Sequence, residues 1–600
     1  MMRLSNYIAN QLILYGVRHV FMVTGGGAMF LNNAIGGHSQ IKSIYNHHEQ
    51  ACAMAAEGYA RITNFPGVIT VTTGPGGINA LNGVYGAYTD SIPMLILSGQ
   101  VKRETYIRSY DLPNLRQLGD QEVDIITMVK SVTKYAVTIT DPNTIRYHLE
   151  KAWYLAKNGR PGPCWLDIPI DVQSSQVDQD GLVGFTPSEA IPDSTSLKDL
   201  ALETLERLAH AHRPVILAGT GVRLGNAIEV FQKVIHKLGI PVTTGWTHDL
   251  IASDDPVFCG RPGTIGTRPG NFAVQNSDVL LIIGSRLNIR QTGYTFKSFA
   301  RSAYKIWVDI DEAELNRPTV RPDLPIVSDA KLFLEEIEYQ IGQNGWDQTR
   351  FSQWLAWCKD RQARYPAVLS RHRKFTGRIN PYHFMEDLFA HLAEDDVVVT
   401  GNATACIVSF QVGSLKMGQR LFSNSGAASM GYDLPAAIGA AVASNGKRVV
   451  CLAGDGSLQM NIQELQTIVH NKLPVKVFVL NNNGYLSIRT SQKGFFGDVV
   501  GEGPDSGVSF PDLEKIAAAY GISYFRLETE NFSQDIFDAL QTPGPVICEV
   551  ILDPTQGFEP RQSSRQLSDG RIVSAPLEDM FPFLERSELK QNLLIPEWED

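Results

Sequence analysis

The chain has 600 residues, 43% hydrophobic and 19% charged, with a formal net charge of −10 at pH 7. Such a length exceeds one hydrophobic core and predicts three or four domains, and the ordinary composition excludes a disordered or low-complexity chain. The acidic charge is dispersed, which excludes a basic nucleic-acid stripe, and no run of about eighteen apolar residues predicts a membrane span. Met1 to Asn6 lacks the apolar stretch of a secretory leader. The seven cysteines are scattered without a CxxC pair and read as small buried hydrophobes of a reducing, cytoplasmic protein.

Short β-rich apolar runs alternate with helix-period stretches, the pattern of parallel sheets wrapped by helices. Three such α/β segments are expected, 1–175, 195–345 and 375–560, followed by a tail, 561–600. In the first, a strand over 20–23 feeds Thr24-Gly25-Gly26-Gly27-Ala28. Tyr45-Asn46-His47-His48-Glu49-Gln50-Ala51 then precedes an Ala-rich helix carrying Ala55-Ala56-Glu57-Gly58-Tyr59-Ala60-Arg61, and a strand over 68–71 feeds Thr73-Gly74-Pro75-Gly76-Gly77-Ile78-Asn79. Ser98-Gly99-Gln100-Val101, Gln121-Glu122 and Val132-Thr133-Lys134 follow. A polar linker near 173–196 leads to the middle segment, where glycines recur after strands: Gly219 and Gly221, then Gly263-Thr264-Ile265-Gly266-Thr267, then Gly284-Ser285-Arg286. Thr244 and Val308-Asp309-Ile310-Asp311 also end strand-like runs.

The third segment carries the most informative pattern. An apolar strand over 449–452 runs into Gly454-Asp455-Gly456-Ser457, and a second, over 475–480, runs into Asn481-Asn482. A helix over 459–471 is expected between them, opened by Ser457. Glycines let backbone approach a phosphate, and a helix N-terminus favours an anion. A bound diphosphate needs a small hard cation with oxygen ligands.

This pattern resembles the diphosphate-binding motif of thiamin-diphosphate enzymes. The HEQ…AAEGYAR stretch at 48–61 resembles the acetolactate synthase group of that family, and the likeness covers almost the whole chain. It implies three consecutive doubly wound parallel-sheet domains: pyrimidine-binding, middle and diphosphate-binding. It implies Mg2+ held by Asp455, Asn482 and the carbonyl of Gly484. Around thiamin diphosphate it places Gly26, Pro75, Asn79, Gly401, Asn402, Gly454, Gly456, Ser457 and Tyr485, with Met430 (in Ala428-Ser429-Met430-Gly431-Tyr432-Asp433-Leu434-Pro435, like GAMGFGLP) bending the cofactor. Taken alone, Met430 is more often core filler.

Glu49 falls on the family's catalytic glutamate, whose carboxyl favours the imino tautomer of the cofactor ring and so the loss of the thiazolium C2 proton. His48, Gln121 and Lys134 border the site by resemblance. The middle segment is similar to the FAD-binding branch, which implies FAD on Gly219, Gly221, Thr244, Gly263, Thr264, Gly266, Thr267, Arg286, Asp309 and Asp311; an empty domain or bound ADP is the alternative. By resemblance, Arg290 stands where the family has an arginine that can meet a substrate carboxylate. Ser491 replaces the family's tryptophan at the acceptor entrance, which opens volume there.

The resemblance therefore implies decarboxylation of pyruvate and transfer of a two-carbon unit to a second carbonyl, and the departure at Ser491 fits a related subgroup of carboligases whose acceptor is a ketone or keto-sugar, larger or more polar than a second pyruvate. A flavin-dependent pyruvate oxidase, a simple 2-keto-acid decarboxylase and a degenerate binding subunit are the rival readings. A homodimer or homotetramer is expected; a small regulatory subunit is left open. The tail, with Arg561-Gln562-Ser563-Ser564-Arg565, is either packing or a cover over the acceptor entrance.

Overall fold

A computed structural model describes all residues except 188–193, 248, 567–569 and 599–600. Part of the expected 173–196 linker and a few tail residues lie outside that description. In the first domain the strands are β1 (His19–Met22), β2 (Lys42–Tyr45), β3 (Gly67–Val71), β4 (Met94–Gln100), β5 (Tyr135–Thr138) and β6 (Pro163–Pro169). The middle sheet contains β7 (Pro214–Ala218), β8 (Val242–Thr244), β9 (Val279–Ile283), β10 (Tyr304–Asp309) and β11 (Leu324–Val327). The third contains β12 (Val397–Thr400), β13 (Arg420–Phe422), β14 (Val449–Gly454), β15 (Val475–Asn481), β16 (Ser523–Leu527) and β17 (Val546–Ile551).

All pairings within the three sheets are parallel. Helices cover both faces, so central strands such as β3 and β17 are buried at every residue and read as unbroken apolar runs rather than as alternation. The first sheet has the order β2-β1-β3-β4-β6-β5 and the third β13-β12-β14-β15-β17-β16. These are the same permutation, so the outer domains are two copies of one topology, a relation no residue pattern revealed. In the middle sheet, β8-β7-β9-β10-β11, the strand order turns back at β7, with β8 on one side and β9 on the other.

The helices that position the site are α1 (Glu49–Thr63), α2 (Pro75–Thr89), α3 (Ile145–Lys157), α4 (Arg268–Gln275), α5 (Asp433–Ala443), α6 (Asp455–Gln459) and α7 (Leu486–Phe495). Helix α1 follows the second strand of the first domain and α5 the second strand of the third, and these equivalent helices cross face to face. Small residues make the approach close: a Cβ on Gly58 would lie 2.2 Å from the Ala436 carbonyl oxygen, and one on Gly439 1.8 Å from that of Ala55. One apolar cluster runs through the contact, from Ala53 and Ala56 to Ala437 and Ala440.

The single helix expected over 459–471 is a correction. Helix α6 starts at Asp455 with Gly454 as its cap, and after Met460 the chain breaks into a 3-10 turn, Ile462–Glu464, and a short helix, Leu465–His470. The break sits at Asn461, whose backbone leaves the helical region and whose side chain donates to the Gly431 carbonyl at 2.7 Å. The tail straps the middle domain: Leu577 and Met580 are buried, Glu578 accepts from Gln275 at 2.6 Å and pairs with Arg301 at 2.8 Å, and Gln562 donates its amide to the Thr264 carbonyl at 2.6 Å. All seven cysteines are buried and unpaired. Among the described residues no helix is long and apolar enough to cross a membrane.

Candidate active site

The parallel neighbours β14 and β15 end side by side, Gly454 opposite Leu480. This register brings the two halves of the GDGS…NN pattern together. The Asp455 carboxylate is 5% exposed and accepts two backbone amides, Gly456 at 2.8 Å and Gly484 at 2.9 Å. Burial pushes its carboxyl up to about 6 against the pull of those amides. Asn482 is also buried; its Oδ1 has no hydrogen-bond partner among the described residues, while its Nδ2 reaches Thr404 Oγ1 at 3.4 Å. A buried amide oxygen without a donor is costly, a cost that a bound cation would offset. With the carboxylate lone pairs of Asp455 and the carbonyl of Gly484 beside it, the donors are all oxygen, the set that suits Mg2+.

Glycine is required here for space. Gly484 has φ +139°, and a Cβ there would strike the Glu502 carbonyl at 2.0 Å; one on Gly456 would strike the Tyr485 ring at 2.1 Å. Ser457 is engaged differently than expected. Its hydroxyl donates to Asp433 at 2.5 Å and accepts the Gly431 amide at 2.8 Å, leaving only its backbone for an anion.

These residues open on a cavity of about 500 Å³ lined also by Gly401, Asn402, Ala428, Met430, Tyr485 and, from the middle domain, Trp246, Ile265 and Arg290. Arg290 is exposed at its edge and its guanidinium has no ion pair among the described residues. Ser487 and Ile488 of α7 line the cavity; Ser491, one turn on, is exposed outside it and bonds back to the Ser487 carbonyl at 2.9 Å.

Glu49 begins α1, 8% exposed, and accepts the Asn79 amide group at 3.0 Å. Gly76 packs over it: a Cβ there would come 3.3 Å from Glu49 Oε1. Pro75 opens α2 beside it, and the Gly26 turn is exposed. His48 caps α1, its Nδ1 accepting the Gln50 amide at 3.0 Å. Gln121 is exposed with φ +61°, its carbonyl pressed onto Gly74.

Glu49, His48 and Gln121 do not line the cavity that holds Asp455 within one chain. The two regions are nonetheless tied. Glu464, fully buried seven residues beyond Ser457, accepts the His47 amide and the Asn46 side chain, both at 2.9 Å. Glu464 and Asp433 escaped the sequence reading; only the acid replacing glycine within GAMGFGLP gave any signal.

Lys134 is placed away from these groups. Its ammonium caps the C-terminus of α3, donating to the Leu155 carbonyl and, at 2.7 Å, to that of Asn158, and burial lowers its pKa.

A second cavity, about 290 Å³, lies between the first and middle domains at the ends of β7, β9 and β10. This is the reversal point of the middle sheet, where doubly wound folds take nucleotides. Gly221, Arg286 and Asp309 line it with Asp90 and Arg160 of the first domain. Burial pushes Asp309 up to about 6. Arg286 pairs with Asp90 at 3.3 Å, whereas Asp311 is engaged by Arg160 at 2.9 Å. The remaining expected positions lie outside this cavity. Gly219 packs on the Gly284 carbonyl, and Thr244 is buried. Gly263, Thr264, Gly266 and Thr267 fold on one another: Gly266 bonds to Gly263, Thr264 to Arg290 and the tail, and Thr267 caps α4. The two cavities share Trp246, Ser423 and Ser425 as walls.

Three parallel-sheet domains, with a buried acid–amide pair at the ends of adjacent strands of the third, have the arrangement of a thiamin-diphosphate enzyme. Sequence profiles agree: the thiamine pyrophosphate enzyme N-terminal TPP binding domain matches residues 2–128, the central domain 202–337 and the C-terminal TPP binding domain 401–550. The chain is 31% identical to the acetolactate synthase large subunit of Porphyra purpurea (90% of this chain, 91% of the relative) and 29% identical to that of Cyanidium caldarium (92% and 94%). It is 31% identical to acetolactate synthase 2, chloroplastic, of Nicotiana tabacum (91% and 82%). The chain belongs to the thiamin-diphosphate-dependent acetolactate synthase large-subunit family.

Proposed function

We propose that this enzyme decarboxylates pyruvate and transfers the resulting two-carbon unit to a second carbonyl, a ketone or keto-sugar. The observation that carries the thiamin-diphosphate part of the reading is the buried Oδ1 of Asn482, unpartnered among the described residues, beside the Asp455 carboxylate and facing one cavity; the acceptor class rests on the absence of the family's tryptophan at 491. Asp455, Asn482 and the Gly484 carbonyl hold Mg2+, and the backbone of 454–457 receives the diphosphate. When bound, thiamin diphosphate supplies the electron sink that accepts the pair released with carbon dioxide. Glu49 holds a proton against the aminopyrimidine, and Asn79 fixes the orientation of its carboxylate. Met430 supports the cofactor from the cavity wall. Arg290, which pairs with no carboxylate among the described residues, receives a substrate carboxylate or a sugar-borne anion.

Because Glu49 and Asp455 of one chain do not share a cavity, the working site pairs the first domain of one copy with the third domain of another. A homodimer, or a tetramer built from it, is the active species. The exposed apolar face of α2, with Ile78, Tyr85 and Tyr88, suits burial against that second copy. The smaller cavity takes the adenosine diphosphate portion of FAD at Gly221, Arg286 and Asp309. The domains run 1–175, 195–345 and 375–560.

The test is incubation of the purified protein with thiamin diphosphate, Mg2+, pyruvate and a panel of ketone and keto-sugar acceptors, with products identified by mass. Hydroxy-ketones formed on the larger acceptors support the reading. Preference for pyruvate over every other acceptor refutes the acceptor class, while acetaldehyde as main product or oxygen consumption refutes the transfer. A yellow protein with a flavin absorption band on purification checks FAD independently.

A further inference from the structure

A carboxylate lies beneath the diphosphate turn where the related motif reads glycine. Asp433 is fully buried. Its Oδ2 accepts the Ser457 hydroxyl at 2.5 Å and its Oδ1 the Leu434 amide at 2.9 Å. A serine hydroxyl has one proton to give, so Ser457 Oγ is left as an acceptor, and it takes the Gly431 amide at 2.8 Å. The Gly401 backbone rests on the same carboxylate, for a Cβ there would lie 2.3 Å from Asp433 Oδ2. Two separate wall segments of the larger cavity, at 401–402 and 454–457, therefore meet on one buried side chain, and the segment at 430–431 joins them through Ser457.

The placement is not local accident. Asp433 opens the helix after the second strand of the third domain, as Glu49 opens the helix after the second strand of the first. One fold position thus sets a carboxylate near the expected cofactor in both domains, the first beside the ring region, the second under the anchor. Burying a carboxylate is costly unless it is hydrogen bonded, a cost that glycine avoids. Burial pushes the Asp433 carboxyl up to about 6 while the Ser457 hydroxyl and the Leu434 amide oppose the shift.

We propose that Asp433 is a positioning residue for the diphosphate-binding turn: through Ser457 it locks 454–457 against Gly431 and sets the spacing between the diphosphate anchor and Met430. This rests on the thiamin-diphosphate reading above.

The experiment compares full-length Asp433→Ala, Asp433→Asn, Ser457→Ala and the doubles, by titrating thiamin diphosphate with Mg2+ against tryptophan fluorescence and by measuring kcat at saturating cofactor. Asp433→Ala and Ser457→Ala each weaken cofactor binding about tenfold, as loss of a hydrogen bond to a charged group does, and lower kcat. The double is no worse than either single, because both remove one link. Asp433→Asn keeps an acceptor for the Ser457 proton and stays within about threefold of the parent. Unchanged affinity in Asp433→Ala, losses that multiply in the double, or Asp433→Asn as poor as alanine would each overturn the proposal. Should Asp433→Ala not fold, Ser457→Ala alone against Asp433→Asn/Ser457→Ala decides by the same rule. A parent protein that binds no thiamin diphosphate would sink the functional reading instead.

Discussion

Gly58 of α1 lies so close to Ala436 of α5 that a Cβ on it would sit 2.2 Å from the Ala436 carbonyl oxygen. Gly439 meets Ala55 in the reciprocal way, which makes this crossing the joint between the outer domains. In an exposed helix, Gly→Ala gains about 1 kcal/mol of propensity. At Gly58 the opposite is expected: overpacking against backbone costs about 1–3 kcal/mol, so Gly58→Ala lowers the urea midpoint.

Glu49→Gln keeps an oxygen for the Asn79 donor and removes the exchangeable proton. Turnover should fall by about 10²–10⁴ while thiamin diphosphate still binds, read by pre-steady-state product formation and by cofactor titration. Near-parental kcat in this variant would remove Glu49 from the chemistry.

Asp455→Ala takes away the carboxylate at the cation site. Cofactor affinity should drop at least about 100-fold, and dialysis against EDTA should inactivate the parent, with Mg2+ restoring it but not the variant. Activity retained after thorough chelation would rule out a metal-held diphosphate.

Asp167 of β6 is fully buried on Ser98, Gln100 and Thr138, and burial pushes its carboxyl up to about 7. The folded protein holds this proton more tightly than the unfolded chain does. Its contribution to stability is therefore complete below about pH 4 and is lost as pH rises through about 7, on the order of 4 kcal/mol in total. Glu57, pushed to about 7 by burial, contributes with the same sign. The measurement is thus a difference: denaturation from pH 4 to 8 should fall less steeply in Asp167→Asn than in the parent, and parallel slopes would contradict the buried acid.

Lys134→Met should leave kcat and KM within about twofold of the parent yet lose about 1–2 kcal/mol of stability, since its donors serve two helix-terminal carbonyls. A selective fall in kcat would return Lys134 to the active site.

Much of this molecule was legible in its residues because the relevant signals were local. Alternating strands and helices announced three α/β units, and the pairing of Asp455 with Asn482 followed from the resemblance of the GDGS…NN pattern. The smooth helix expected after Ser457 failed because Asn461 turns its side chain to Gly431, thirty residues earlier in the chain. Ser491 and Lys134 were placed by motif position, yet a one-turn displacement on α7 and a helix C-terminus in need of donors redirect both side chains.

The residue pattern by itself determined the family, and it pointed to Asp455, Asn482 and the carboxyl at the start of α1, since each is a short-range arrangement of residue types with a fixed backbone requirement. Only the tertiary structure decided that the outer domains share one strand order, that Glu464 ties the 46–47 segment to the third domain, and that Asp433 stands under Ser457. It also decided that Glu49 and Asp455 of one chain face different spaces. These relations join segments as many as 418 residues apart, and close packing of helices, rather than any local preference, sets the distances between them.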